Sequence, residues 1–269
     1  HALTGGNPFD TVEAINALRR AGVLRLDREG WQWEGDAVRR FVGGGSVVDL
    51  LTARVQRLPP ASLAMLECMA CLGKAADPVL LRAAAGLDEA ALDQALQPAL
   101  EDGLLVVPPA GGGAVVQFRH DRVLDAVLEA MAPRVQSQHL ALARRLARQS
   151  AFEGEAGRQY FACTTLLVDG AERQHAAVLL QGAASQLART ANYEMAERYL
   201  AAASALLPKA GDGSASGLRD DIDAARHAAL YSLGRLDESD PLYAGLQARA
   251  VDPLDLVEPT CLQMRGLDM

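Results

Sequence analysis

Apolar residues recur at helical spacing in the first segment of the chain. They fall on one face of a helix at Phe9, Val12, Ile15 and Leu18. Asn7 is a favourable N-cap residue, Pro8 suits the first helical position, and Gly22 is a typical helix stop. The pattern predicts an amphipathic helix between Pro8 and Gly22, with its apolar face in the protein core.

The spacing then changes from helical to alternating. Leu24 and Leu26 alternate with polar residues, and so do Trp31 and Trp33 after a turn at 27–30. This pattern predicts a short β-hairpin whose four large side chains share one face. We interpret the two tryptophans as core residues rather than as a platform that stacks on nucleic-acid bases.

The middle of the chain has the pattern of helices followed by strands. After a glycine-rich break at 43–46, helices are predicted at 47–58, 60–72, 78–85 and 88–102, and strands at 104–107 and 115–118. Pro98 predicts a kink or an early stop in the last of these helices. The last three helices and the two strands have the order of a winged-helix domain, a variant of the helix-turn-helix.

Charge argues against nucleic acid as a partner of this module. The helix that would enter a DNA groove has no Lys or Arg, and it carries five carboxylates at Asp88, Glu89, Asp93, Glu101 and Asp102. The whole chain has a formal net charge of -8 at pH 7. Since nucleic-acid binding depends largely on cations that neutralise phosphates, we expect no nucleic-acid partner. A DNA-binding regulator stays as a less favoured alternative.

The cysteines and the hydrophobic runs restrict the class of protein further. Cys68 and Cys71 have the spacing of a metal or redox motif, but no second pair and no nearby His completes a metal site. They lie in a helical pattern, so we interpret them as small buried helix residues and expect no metal. Because there is neither an apolar run of about 18 residues nor a charged leader, we expect a cytoplasmic protein without a membrane partner.

The second half of the chain, from about residue 134, has helical patterns without strands. Helices are predicted around 140–146 and 158–168, followed by a helical pair at 171–208. The second helix of this pair, from Asn192, has the residue pattern of a tetratricopeptide repeat. The pattern recurs about 43 residues later, from Gly234, beyond a Gly/Ser-rich linker at 211–217. Pro241 is predicted to interrupt this second copy. Two aligned copies favour an array of helical hairpins over an irregular bundle.

Two short motifs lie at predicted helix starts. Gly5-Gly6-Asn7-Pro8-Phe9 precedes the first helix, and Phe118-Arg119-His120-Asp121 joins a strand to a helix that Asp121 is predicted to cap. The N–H groups and positive dipole end of a helix form an anion site, so a His there is well placed to bind a phosphate. Without further support, the favoured interpretation of His120-Asp121 is a structural strand end with an ordinary helix cap.

Together these motifs resemble those of the STAND class of signal-transduction NTPases. The first is similar to their GxP-type motif, and His120-Asp121 resembles the His-Asp motif of their winged-helix domain. Large bacterial regulators that join a kinase or other effector, an ATPase module and tetratricopeptide-like repeats also have phrases similar to Trp31-Gln32-Trp33, His139-Leu140 and the segment 193–200. The resemblance covers most of residues 2–208.

The resemblance implies a mainly α chain in three parts. Residues 1–45 would form a lid helix and hairpin of an ATPase module, 46–133 a winged-helix domain, and 134–269 an incomplete tetratricopeptide-like region. His1 in place of Met, directly before a motif, indicates a piece of a longer polypeptide. The nucleotide-binding core would precede this piece.

The resemblance also implies a nucleotide site that is completed only in the longer parent. The candidate nucleotide-binding residues are Gly6, Asn7, Pro8, His120 and Asp121. Pro8 would lie against the adenine of ADP or ATP, Gly6 would allow close approach, and His120 would reach the β-phosphate. The chain departs from the family pattern at Asp10, where an apolar residue is usual.

The absence of catalytic motifs argues against an enzymatic function for this piece. The chain has no GxxxxGK[ST] motif, no kinase-loop pattern and no Ser/His/Asp pattern, so we expect no catalytic residues, no enzymatic activity and no bound cofactor in this piece. A regulatory role follows, in which nucleotide state is coupled to a repeat region that receives a protein or small-molecule signal. The partners would include the nucleotide-binding and effector domains of the same polypeptide. A repeat scaffold with no nucleotide role is the alternative.

Overall fold

The computed structural model describes residues 6–42, 47–108, 115–208, 216–250 and 252–267, and the fold is mainly α, as predicted. Contacts between Cα atoms divide the chain into two compact units, His1–Val135 and Gln136–Met269. The predictions at Gly5, at the break 43–46 and at most of the linker 211–217 lie outside the described residues.

The first unit begins with an amphipathic helix and a hairpin. Its first elements are α1 (Pro8–Arg20), β1 (Leu24–Asp27), β2 (Gly30–Trp33), α2 (Gly35–Val42) and α3 (Val47–Val55). Helix α1 is confirmed, but its predicted buried face is wrong at Val12 and Ile15, which are 54% and 42% exposed. Leu18 is buried as predicted, and Asp10 and Ala14 are buried as well. Helix α1 packs against α3.

The hairpin has its predicted pairing but not its predicted burial. Leu24 pairs with Trp33 and Leu26 with Trp31 in antiparallel register, so the four side chains share a face. The core interpretation is wrong, since Trp31 and Trp33 are 45% and 62% exposed. Helix α1 packs beside β1, and the guanidinium of Arg19 lies 5.4 Å from the centre of the Trp31 ring.

The rest of the first unit combines helices with a small sheet. The elements are α4 (Pro60–Leu72), β3 (Ala75–Ala76), α5 (Pro78–Ala85), α6 (Glu89–Glu101), β4 (Leu105–Val106), β5 (Val116–Phe118) and α7 (Asp121–Met131). The sheet is antiparallel with strand order β3-β5-β4. Strand β3 was not predicted, because two alanines carry no alternating or β-branched pattern.

Helix α4 contributes much of the core of this unit. Cys68 and Cys71 are buried on α4, which confirms their interpretation as helix core residues. Burial and the nearby Glu67 carboxylate raise the pKa of Cys71 to about 12.

The predicted early stop at Pro98 is wrong, because α6 continues to Glu101 and the carbonyl of Pro98 accepts a hydrogen bond of 3.0 Å from the amide of Asp102.

The second unit is built from helices that follow one another. They are α8 (Val135–Leu146), α9 (Glu153–Phe161), α10 (Gly170–Arg189), α11 (Tyr193–Leu206), α12 (Ser216–Ser232), α13 (Leu236–Arg249) and α14 (Val257–Leu267). Short 3-10 turns lie at Ala132–Arg134, Ser150–Phe152, Thr164–Leu166 and Pro253–Leu256. The bounds predicted for the helix at 158–168 are wrong, because α9 begins at Glu153 and ends at Phe161. Within α9, Gly157 packs closely against α10.

Two helical hairpins recur in this unit. Helices α11 and α13 each have 14 residues, and they begin at Tyr193 and Leu236, at the predicted spacing. The turns before them contain Ala191 and Gly234, both with positive φ, at 57° and 71°. The recurrence of a helical hairpin is therefore confirmed. The predicted interruption at Pro241 is wrong, because α13 is continuous through this residue.

Candidate functional site at the first turns of two helices

The start of α1 has the predicted capping arrangement. The side-chain oxygen of Asn7 accepts a hydrogen bond of 3.3 Å from the amide of Asp10, and the carbonyl of Asn7 accepts one of 3.0 Å from the amide of Thr11. Asn7 is thus confirmed as the N-cap, and Pro8 is the first residue of α1. Gly6 has φ of 86°, a conformation that residues with a side chain rarely adopt.

The start of α7 is fixed by the small sheet. The amide of Phe118 donates to the carbonyl of Lys74, and that of Arg119 to the carbonyl of Leu104, both at 3.0 Å. His120 continues the strand in an extended conformation, with φ of -145° and ψ of 149°. Its carbonyl accepts a hydrogen bond of 3.0 Å from the amide of Val123. The sheet therefore holds His120 at the N-terminus of α7.

Asp121 does not have its predicted local role. His120 occupies the cap position of α7 and makes no capping hydrogen bond through its side chain, so the prediction that Asp121 caps this helix is wrong. Asp121 is the first helical residue, and its carboxylate lies 2.6 Å from the ammonium group of Lys74. A carboxylate in this first turn also interacts favourably with the helix dipole.

The structure brings the two helix starts together, although they are far apart in the sequence. A carboxylate oxygen of Asp10, in the first turn of α1, lies 3.9 Å from the guanidinium of Arg122, in the first turn of α7. One turn further along α1, the negative charge of Glu13 acts on His120. The residues that directly follow the two motifs, Asp10 and Arg122, therefore lie together at one corner of the first unit.

The imidazole of His120 is held towards its neutral form. Burial lowers its pKa below the ordinary value of 6.5, and the positive charge of Arg119 lowers it further. The charges of Glu13 and Asp121 act in the opposite direction. A neutral imidazole still has one N–H donor for a phosphate oxygen, and its other nitrogen is an acceptor. At neutral pH this side chain can bind an anion through a hydrogen bond rather than through a full positive charge.

Asp10 is the unexpected member of this corner. It is only 6% exposed, and within the described ranges one of its carboxylate oxygens has no hydrogen-bond partner. Burying a carboxylate without full pairing is unfavourable, so the guanidinium of Arg122 is an important compensation for it. In the sequence this position was noticeable only as a departure from the family pattern.

A second charged group, which joins α1 to two other elements, is not indicated by the sequence. Arg54 of α3 donates to a Glu13 carboxylate oxygen at 2.5 Å, and it also contacts both the carboxylate and the carbonyl of Asp102. Arg54 and Glu13 side chains are each 12% exposed. This network joins α1 and α3 to the end of α6. No spacing in the sequence indicates it, because its members come from three separate elements.

Two further findings concern the described residues only. They contain no group of three or more His, Cys, Asp or Glu side chains arranged to hold a metal ion. Among the described helices, none has the length and apolar character needed to cross a bilayer.

Comparison with known proteins gave no matching family model, no matching curated protein and no matching solved structure.

Proposed function

We propose that this chain is the regulatory, non-catalytic part of a STAND-type signalling ATPase, which senses a bound nucleotide and passes its state to a helical-repeat region. One observation carries the proposal. The first turns of α1 and α7 meet through Asp10 and Arg122, the residues that directly follow the two resembling motifs, with Glu13 acting on His120. A nucleotide held at this corner would contact both helix starts.

The arrangement of the first unit supports the proposed domains. From α4 to β5 the order of elements and the strand order β3-β5-β4 agree with a winged-helix domain at 46–133. The lid at 1–45 would comprise α1 and the hairpin. The recurring helical hairpins support a tetratricopeptide-like assignment for 134–269.

Each candidate residue has a proposed role in binding ADP or ATP in the longer parent. Gly6 and Pro8 would approach the adenine, Asn7 would hold the first turn of α1, and His120 would donate a hydrogen bond to the β-phosphate. Asp121 would hold the helix start through Lys74. Catalysis would require groups from a nucleotide-binding core, and no catalytic residue is assigned here.

The proposed mechanism is a two-state rearrangement. ADP favours the state in which the winged helix is docked on the nucleotide, and a protein or small-molecule signal on the repeat region favours the other state. The effector domains of the same polypeptide respond to this equilibrium. We propose a cytoplasmic location. We also propose that nucleic acid is not a partner, in agreement with the exposed carboxylates of Glu89, Asp93 and Glu101.

A repeat scaffold without a nucleotide role is the second candidate. The observation that favours it is the pair of helical hairpins in the second unit, which by itself requires no nucleotide. In that case Asn7 and His120 would have only structural tasks at their helix starts.

Hydrogen–deuterium exchange of a polypeptide that includes the nucleotide-binding core tests the proposal. The first amides of a helix lack partners within the helix, so a phosphate bound at α7 and an adenine packed over the start of α1 would slow their exchange. We expect ADP to protect the first turns of both α1 and α7, while the first turn of α5, which Asp77 caps, serves as an internal control. If calorimetry shows that ADP binds and exchange at both helix starts is unchanged, the proposal is wrong.

A further inference from the structure

A cavity of about 400 Å³ lies at the other end of α1 from the two helix starts. It is formed by the last turns of α1, by α2 and α3, and by the residue that follows α6. Its walls are made by Ala17, Arg20, Ala21, Phe41, Leu50, Ala53, Arg54, Arg57, Leu58 and Asp102. The volume falls in the range of roughly 300–1,000 Å³ that is usual for small-molecule sites.

The walls have two chemically different parts. Phe41, Leu50 and Leu58, with three alanines, form an apolar part that suits a hydrocarbon or aromatic body. The remaining lining residues are charged, with three arginines and a single aspartate. Such a combination of an apolar wall with a few convergent polar groups is typical of ligand sites.

The charged part has an excess of positive charge. Asp102 is the one carboxylate in the walls, and it is bound by Arg54, with Arg20 at 3.5 Å. Arg54 is further occupied by Glu13. Arg57, by contrast, is exposed and has no carboxylate partner among the residues that the structure describes. Its guanidinium is therefore available to an anion, and Arg20, whose side chain is 42% exposed, lies in the same walls.

From these features we propose that the cavity binds a small organic anion, with a carboxylate, phosphate or sulfonate group on an apolar body. The oxyanion pairs with the guanidinium groups of Arg57 and Arg20, because planar guanidinium forks match such oxygens. The apolar body packs on Phe41 and the leucines. An inorganic anion would leave the apolar wall exposed to water, and an organic cation would be repelled by the arginines.

A pair of fluorescent probes separates the charged part of the site from the apolar part. Anilinonaphthalene sulfonate carries an anionic group on an aromatic body, and N-phenylnaphthylamine has nearly the same body without the charge. In Arg57→Ala we expect the sulfonate probe to bind about tenfold more weakly, the loss of one charge-assisted hydrogen bond, with the neutral probe unchanged. Arg57→Lys keeps the charge and should recover part of the affinity.

Two further variants complete the test. Phe41→Ala should weaken the binding of both probes, and Arg148→Ala, which removes an exposed arginine of the second unit, should change neither. Since the Arg57 side chain is exposed, its removal leaves the folded unit intact, and circular dichroism checks this. Equal affinity of the sulfonate probe for the protein before and after Arg57→Ala overturns the proposal. To distinguish the source of the oxyanion, octanoate and octyl phosphate are then compared as competitors.

Discussion

Replacing Arg54 by Ala should strongly destabilise the first unit. Its guanidinium joins Glu13 on α1 to the carboxylate and the carbonyl of Asp102 after α6, while Arg54 itself lies at the end of α3. The side chains of Arg54 and Glu13 are 12% exposed and that of Asp102 is 30% exposed. The substitution therefore removes one cation that is shared by two partly buried carboxylates, Glu13 on α1 and Asp102 after α6.

The expected magnitude follows from this burial. Removing one partner of a buried ion pair costs about 3–5 kcal/mol, mainly because the other charge stays buried without compensation. Water reaches Asp102 more easily than Glu13, so we expect a loss near the lower limit, about 3 kcal/mol. Exposed ion pairs contribute only about 0–1 kcal/mol. Arg39 and Asp36 form such a pair, with side chains 76% and 72% exposed, and Arg39→Ala is the matched control.

Urea denaturation followed by tryptophan fluorescence measures this loss. Both tryptophans of the chain, Trp31 and Trp33, lie in the first unit, so the signal reports the unfolding of that unit. Adding Glu13→Gln to the Arg54→Ala protein should restore part of the stability, because it removes the uncompensated charge. If Arg54→Ala lowers the free energy of unfolding no more than Arg39→Ala does, the network is not a significant source of stability.

Three other predictions are checked on the same protein. Gly157→Ala places a Cβ 2.5 Å from the carbonyl oxygen of Leu179 and should destabilise the second unit by about 1–3 kcal/mol in thermal melts. Gly182→Ala meets no atom within 4 Å and should stabilise it by about 0.5–1 kcal/mol; the reverse order would contradict the packing of α9 on α10. An NMR titration of His120 should give a midpoint below 6.5, and Glu13→Gln should lower it further; an unchanged midpoint would show that Glu13 does not act on His120. Labelled duplex DNA should show no binding by fluorescence anisotropy at about 0.1 M salt, whereas binding that added salt reverses would support a DNA-binding function.

Helix ends were predictable where local chemistry determines them. Helix α5 begins and ends at the predicted residues, because Asp77 caps it by accepting from the amide of Val79, and Gly86 ends it in a left-handed conformation. The start of α6 follows similarly, because Asp88 caps it by accepting from the amide of Ala91. Helix α4 has no side-chain cap and begins at Pro60, a residue that suits the first helical position. These signals lie within a few residues of each other, so no knowledge of the tertiary structure is needed.

Burial was less predictable, because it depends on which element covers a given face. Periodicity identified an apolar stripe on α1, but within it Leu18 is buried while Val12 and Ile15 remain exposed. The same reason explains the exposed tryptophans of the hairpin. Strand β3 is so short that it exists only through its pairing with β5.

The candidate site was predictable only in part. The sequence identified Asn7 as a cap and His120 as a residue at a helix start, since both signals are local. The meeting of α1 and α7 through Asp10 and Arg122 is a long-range contact, and the spacing of residues contains no information on it. The resemblance to a nucleotide-binding family was the only reason to expect the two motifs to share a site.

The rate of ADP release from a polypeptide that includes the nucleotide-binding core tests the central claim most directly. If the imidazole of His120 holds the β-phosphate, His120→Ala removes a hydrogen bond of about 1.5–3 kcal/mol and should speed release roughly ten- to hundredfold. Effector output should change with it, while Arg148→Ala leaves both unchanged. A folded His120→Ala protein with the original rate of release and the original output would contradict the proposed nucleotide switch.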